Sequence, residues 1–193
     1  MFLDMGSKSA PAFAKDTVYR LRNSTRIDWR RFTTLLSARI IGDTLEPLTS
    51  EKRKNAFIID DSLFERNGSK KVELLAKVYD HAKHRYTRGF RMLTLGWSDG
   101  VTFLPVNSCL LSSENPNSRI NGSNPVAPNS NGAKARDLSV KKATEVIPQL
   151  ISEAIDAGIH ADYVLFDSWF SSPKVIRSMK EKGLDVVAMV KKS

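Results

Sequence analysis

The stretch YVLFDSWFSSPKVIRSMKEKGLDVVAMV, residues 163–190, decides the fold class. Four apolar or aromatic residues run straight into Asp167 and predict a buried strand over 163–167. Ser172 is a good helix cap, and Pro173 suits the first helical position, where no N–H is needed. Next come a helix over 173–182 and a second apolar strand over 184–190. A strand–helix–strand unit of this length joins parallel neighbours by a right-handed crossover. Upstream, GFRMLTLGWSDGVTFLPVNSCLLSS (89–113) places Asp99-Gly100 between two apolar runs, which predicts an antiparallel hairpin. AFIIDDSLFER (56–66) reads as a further strand carrying two acids. Between hairpin and last strands, DLSVKKATEVIPQLISEAIDAG (137–158) carries an apolar stripe through Val146, Leu150 and Ala154 and predicts an amphipathic helix. Ser139 is its expected cap, Gly158 its expected stop, and Pro148 an expected bend. The fold class is therefore α/β: a mixed sheet covered by helices.

The ends and linkers are less regular. Residues 1–14 read as a frayed start, and Lys15–Ile41 as two short helices, the second amphipathic and basic, with Ser24 or Thr25 as its cap. Residues 114–136 are rich in Asn, Ser, Pro and Gly and read as a mobile loop insertion. One cysteine, Cys109, sits in an apolar run and reads as a buried structural thiol. No disulfide and no zinc cluster are expected, which suits a reducing cytoplasm. No apolar run is long enough to span a membrane, and the N-terminus lacks a secretory signal pattern.

The 193 residues carry a net charge of +9, which favours polyanionic partners. Residues 66–91 hold eight Lys/Arg against two acids, with Tyr79, His81, His84 and Tyr86 among them. His81 and His84 have too few acids around them for a metal pair. Trp169 and Phe170 read as core packing, Trp97 as a hairpin anchor and Asp99 as a turn acid.

Two strands carry an acid where Val or Ile would be expected: Asp60, beside Asp61, and Asp167. A carboxylate in an apolar strand costs several kcal/mol unless something compensates it. One compensation is a turn: an Asp at a strand end often caps the turn or helix after it. The other is a hard cation, which takes carboxylate oxygens together with phosphate and water. Two such ions can clamp both oxygens of a phosphodiester. Side chains alternate along a strand, so Asp60 and Asp61 cannot share one direction.

These residues resemble a known family. FIIDDSLFERNGSKK, the basic stretch and hairpin after it, and YVLFDSWFSSP in that order are similar to the DDE transposases of bacterial insertion sequences, of the insertion-sequence-four type. KDTVYRLRNSTRIDWRRF resembles the segment those proteins carry before their catalytic domain, so the resemblance covers roughly 15–193. It implies a ribonuclease-H-like sheet over 55–193, incomplete at its C-terminus, and a helical segment over 1–54 that is a candidate for DNA contact. It implies that Asp60, with Asp61 as alternative, and Asp167 are catalytic metal ligands for Mg2+ or Mn2+. The two-metal site is expected only in a full-length protein. It implies nicking of transposon-end DNA by water and joining of the freed 3′ hydroxyl to target DNA, with self-association in a transposition complex. Arg30, Arg31, Lys70, Lys71, Lys83, Arg85, Arg88 and Arg91 are the expected DNA contacts. The family's third acid, a Glu in a Tyr/Arg/Glu/Lys signature, has no match here, and Glu181 lies on the helix directly after Asp167. The chain is thus expected to be a fragment without full transposase activity alone. A catalytically dead DNA-binding remnant and an unrelated metal-dependent nuclease are the alternatives.

Overall fold

The structure is a computed structural model that describes residues 16–50 and 52–189. The frayed start expected over 1–14, and Val190 at the end of the last expected strand, lie outside the described residues. A six-stranded mixed sheet forms the centre. β1 (Ala56–Glu65) pairs antiparallel with the long β3 (Arg85–Ser98). β3 pairs on its other side with β2 (Ala76–Asp80) near its start and with β4 (Phe103–Leu111) near its end. On the far side, β1 pairs parallel with β5 (Tyr163–Phe166), and β5 with β6 (Asp185–Ala188). The order β2-β3-β1-β5-β6, with β4 beside β3, is the mixed sheet expected of a ribonuclease-H-like fold.

One sheet face carries the core. Phe57, Ile59, Leu93, Leu95, Val164 and Phe166 are buried against Val146, Ile147, Leu150, Ile151 and Ala154 of α4 (Ala143–Asp156) and Val175 and Met179 of α5 (Pro173–Glu181). The alternation of side chains makes this possible: residues 57 and 59 point one way and residues 58 and 60 the other. The opposite face is less covered, and Val187 and Met189 are exposed there. Trp97 is fully buried and donates its Nε1–H to the His160 carbonyl at 3.0 Å, so it belongs to the core and not only to the hairpin. Cys109 is buried, which raises its thiol to about 11 and keeps it protonated.

Several helix boundaries differ from the sequence reading. α1 (Thr17–Arg22) and α2 (Trp29–Ile40) are the two expected helices, but Asp28 caps α2, accepting from the Arg31 N–H at 2.9 Å. Ser24 and Thr25 lie too far upstream to reach that turn. α2 turns Thr34 and Ser37 inward and leaves Trp29, Phe32 and Leu36 exposed. Polar contacts hold it: Ser37 donates to the Pro105 carbonyl at 3.0 Å, and Arg30 pairs with Glu153 of α4. The helix expected over 137–158 is two helices. α3 (Asn131–Ser139) is capped by Ser130, and α4 starts only at Ala143, after a break at 140–142. Ser139 therefore ends a helix rather than starting one, and its carbonyl accepts from the Ser112 N–H. Gly158 does come just after α4, at φ +87°.

The stretch 114–136, read as an unbroken loop, holds a 3-10 turn at Pro116–Ser118 and the first turns of α3. It is tied down: the Ile120 N–H reaches the Leu75 carbonyl, and Asn121 donates to the Val72 carbonyl.

The β1–β3 pairing depends on Gly89. A Cβ at this position would lie 2.3 Å from the Phe64 carbonyl oxygen, a backbone atom that cannot rotate away. Gly89→Ala is expected to cost about 2 kcal/mol through forced strand separation. Urea denaturation measures it, and an unchanged midpoint would show that the strands can part without cost.

Candidate active site

β5 ends beside the middle of β1, which runs on to Glu65. Ile59 of β1 is in register with Phe166 of β5, and one residue further each strand carries its acid, Asp60 and Asp167. In-register neighbours on parallel strands point to the same face, and strands lie about 4.8 Å apart. Both acids line one open cleft of about 520 Å³ with Ile58, Leu165, Val187 and Met189, all on the face opposite the core. Both are exposed, so no buried charge needs a partner within the fold.

Local sequence explains how Asp167 is presented. After Phe166 the chain makes a tight turn in which the Phe170 N–H reaches the Asp167 carbonyl at 3.0 Å. One carboxylate oxygen, Oδ1, accepts from the Ser168 N–H. Phe170 is buried and anchors the turn, and Ser172 caps α5 by accepting from the Val175 N–H. Trp169, expected in the core with Phe170, is instead 60% exposed. Of these two adjacent aromatic residues, the turn buries the second.

Asp61 takes the other face. It forms an ion pair with Arg91, whose Nε lies 2.6 Å from Oδ2, directed away from the Asp60–Asp167 cleft by strand alternation. Among the described residues no group of three or more His, Cys, Asp or Glu comes together as a metal cluster. The chemistry of the Asp60–Asp167 donor set nevertheless fits a hard divalent cation. Two carboxylates on one face can supply two oxygen ligands, and phosphate and water complete such octahedra.

The expected DNA contacts divide into two groups. Arg30 is paired with Glu153 at 2.8 Å and Arg91 with Asp61, so both have internal anionic partners. Arg31, Lys70, Lys71, Arg85 and Arg88 are exposed. Lys83 is exposed too but reaches Glu65 at 3.1 Å and Asp80 at 3.6 Å; the hydrogen bond to Glu65 is the main cause that raises its pKa. It sits in the β2–β3 turn. There Asp80 accepts from the N–H groups of Ala82 and Lys83 at 3.0 Å each, and the Lys83 N–H is the main cause that lowers its pKa. The sequence reading missed β2 altogether. Its signal was period-two burial, Ala76, Val78 and Asp80 inward with Lys77 outward, ending in an Asp able to close a turn.

No helix among the described residues is long and apolar enough to cross a membrane. Residues 5–193 match the family model described as DDE superfamily endonuclease. No curated protein matches the chain. Among solved structures, the chain is similar to one in the cryo-EM structure of the piggyBac transposase synaptic complex with hairpin DNA. The identity is 14% and the TM-score 0.39, covering 72% of this chain and 23% of that one. This chain thus spans less than a quarter of that protein's length.

Proposed function

The chain belongs to the DDE superfamily of endonucleases, and on that premise we propose that it serves DNA transposition, as a transposase of the insertion-sequence-four type. The observation that carries the reading is the register that sets Asp60, within β1, beside Asp167, just after β5, in an open cleft. In this proposal Asp60 and Asp167 are the metal-ligating acids, and Asp61 is a structural partner of Arg91. A bound Mg2+ or Mn2+ supplies electrostatic activation of water and of the scissile phosphate. The chain's own residues supply two of the family's three acids and the positioning around them. Asp60 and Asp167 hold two oxygens on one face. The turn 168–170 fixes the backbone of Asp167. Cations along the β2–β3 hairpin and the loop before it neutralise phosphates and set the strand's path.

The proposed reaction hydrolyses a phosphodiester at a transposon end and joins the freed 3′ hydroxyl to target DNA. Self-association of the DNA-bound protein belongs to the same proposal, as do action in a bacterial cytoplasm and the division into a helical segment up to residue 54 and a catalytic unit from 55. Calorimetric titration with Mn2+, competed by Mg2+, tests the reading. Saturable binding is expected, and a chain that binds neither ion would overturn it.

The DNA side of the proposal has its own measurement. Replacing Lys83, Arg85 and Arg88 by Ala together is expected to weaken duplex binding. It should also flatten the slope of log affinity against log salt by about 2–3, since each phosphate contact contributes about 0.9. A slope equal to the parent's would assign these cations to a merely solvated face.

A further inference from the structure

α2 is built the wrong way round for a surface helix. Trp29, Phe32, Leu36 and Ile40 follow at three- and four-residue steps and so share one face. That face is turned to solvent, with exposures of 39%, 55%, 48% and 36%. Thr34 and Ser37 are buried on the inward side, where Thr34 donates to the Arg30 carbonyl and Ser37 to the Pro105 carbonyl. A helix that only covered its own domain would set the apolar stripe inward and the hydroxyls outward. Leu35, also exposed, widens the stripe on one flank.

The patch is large enough to hold a partner. With an aromatic side chain offering about 150–250 Å², these two rings and three aliphatic side chains present on the order of 500 Å² of apolar surface. An interface is about 57% non-polar, so such a patch corresponds to roughly 850 Å² per partner, the standard size of a stable complex.

The order of residues along the stripe suits a second copy of itself. Its first half is aromatic, Trp29 and Phe32, and its second half aliphatic, Leu36 and Ile40. In an antiparallel, two-fold pair of α2 helices, Trp29 of one copy faces Ile40 of the other and Phe32 faces Leu36, each contact occurring twice. A ring then meets a branched aliphatic side chain at every level. A parallel pair would set ring against ring at one end.

Charge follows the same symmetry. Asp28 and Arg39 lie on the flank that carries Leu35, at seven- and four-residue steps from it. Asp28 caps the helix through Oδ1 and forms no ion pair among the described residues. Arg39 is held only by Asp43, at 3.2 Å, in a solvated pair that contributes little. In the antiparallel pair Arg39 of each copy comes opposite Asp28 of the other, so two ion pairs rim the apolar seam. The net charge of +9 does not prevent the contact, because the seam itself is uncharged and salt screens charges further apart than about 8 Å.

We propose that the exposed stripe of α2 is the surface on which two copies of this chain associate, through antiparallel α2–α2 pairing. The pairing gives a surface to the self-association of the transposition reading, on which it rests for its purpose. Its test needs neither DNA nor metal, so either can fail without the other.

The test is sedimentation equilibrium of the whole chain in EDTA at about 50 µM, well above the Kd of a micromolar interface. Twice the mass of one chain is expected. Phe32→Glu and Leu36→Glu each bury two unpaired carboxylates in the seam and are expected to weaken association at least about a hundredfold, leaving single chains. Both positions are exposed in one copy, so melting curves are expected to show the fold of the single chain intact. Orientation has its own readout. Trp29→Cys mixed with Ile40→Cys is expected to give a disulfide between copies when diamide is added as oxidant, and Trp29→Cys alone is not; Cys109 is buried and stays out of the reaction. A parent that sediments as a single chain would overturn the proposal, whether the stripe then proves to hold residues 1–15 of its own chain or an anionic lipid vesicle. So would a dimer that persists in both Glu variants, which would place the interface elsewhere. Cross-linking of Trp29→Cys to itself would reject the antiparallel pairing.

Discussion

Asp167→Asn is expected to lower Mn2+ affinity at least tenfold while leaving the metal-free fold as stable as before. The expectation comes from register. Asp60 and Asp167 lie one step beyond the paired Ile59 and Phe166 and share a face, so a cation placed between them meets oxygens from two strands. Asn keeps an oxygen for the Ser168 N–H, the hydrogen bond that shapes the turn, and removes only the charge. The parent protein should be stabilised by Mn2+ by about 2.7 kcal/mol at a hundredfold excess over Kd, a rise of roughly 5–11 °C in melting temperature for a chain of this size. Asp167→Asn should lose that rise, and Asp60→Asn likewise. Asp61→Asn provides the contrast: it should keep the metal response and lose the Arg91 pair instead. A parent-like metal response in Asp167→Asn, or its loss in Asp61→Asn alone, would move the site to the opposite sheet face.

The elements that could be read from sequence are those in which local signals agree with the tertiary outcome. Asp99-Gly100 between two apolar runs forms the β3–β4 turn, with Gly100 at φ +88°. Ser172-Pro173 starts α5 as a serine cap and a first-turn proline should. Pairing of β1 with β5 was not legible, because nothing in either strand specifies its neighbour across about a hundred residues. Yet that pairing is what brings Asp60 and Asp167 together. The Asp60 and Asp61 alternative could be posed from alternation but not decided. The choice depends on which face α4 and α5 cover, and that is set by Val146, Leu150, Val175 and Met179 from elsewhere in the chain. Errors fell where a local preference was overridden. Val140 and Lys141 continue the apolar and polar pattern of a helix, but the chain breaks there, and the stripe resumes only at Ala143. β2 was hidden because its inward residues include Asp80, whose carboxylate is satisfied by turn N–H groups that no hydrophobic pattern reveals.

A second carboxylate should dominate stability instead of chemistry. Asp99→Ala is expected to cost about 3 kcal/mol, the sum of charge-assisted hydrogen bonds lost from a buried site. Asp99 is buried, and both oxygens are in use. Oδ1 accepts from the Val101 N–H at 3.0 Å and the Thr102 N–H at 2.7 Å, closing the β3–β4 turn. Oδ2 accepts from the Thr49 hydroxyl at 3.0 Å and from Arg53 at 3.1 Å. One side chain thereby ties the hairpin to the segment that leads into β1. These bonds, the Thr102 N–H first among them, hold its carboxyl well below the usual carboxylate range, against the opposing effect of burial. That direction fixes the sign of the pH dependence. The unfolded chain takes up this proton near pH 3.9 and the folded chain only at lower pH, so the stabilisation is complete above about pH 5 and declines as pH falls below 4. At neutral pH, Asp99→Ala should lower the melting temperature by roughly 6–12 °C. As the solution is acidified below pH 4, the difference between parent and variant should shrink. A difference that stays constant down to pH 3 would mean that the bonds of Asp99 do not depend on its charge, and the turn would then be held by its backbone geometry alone.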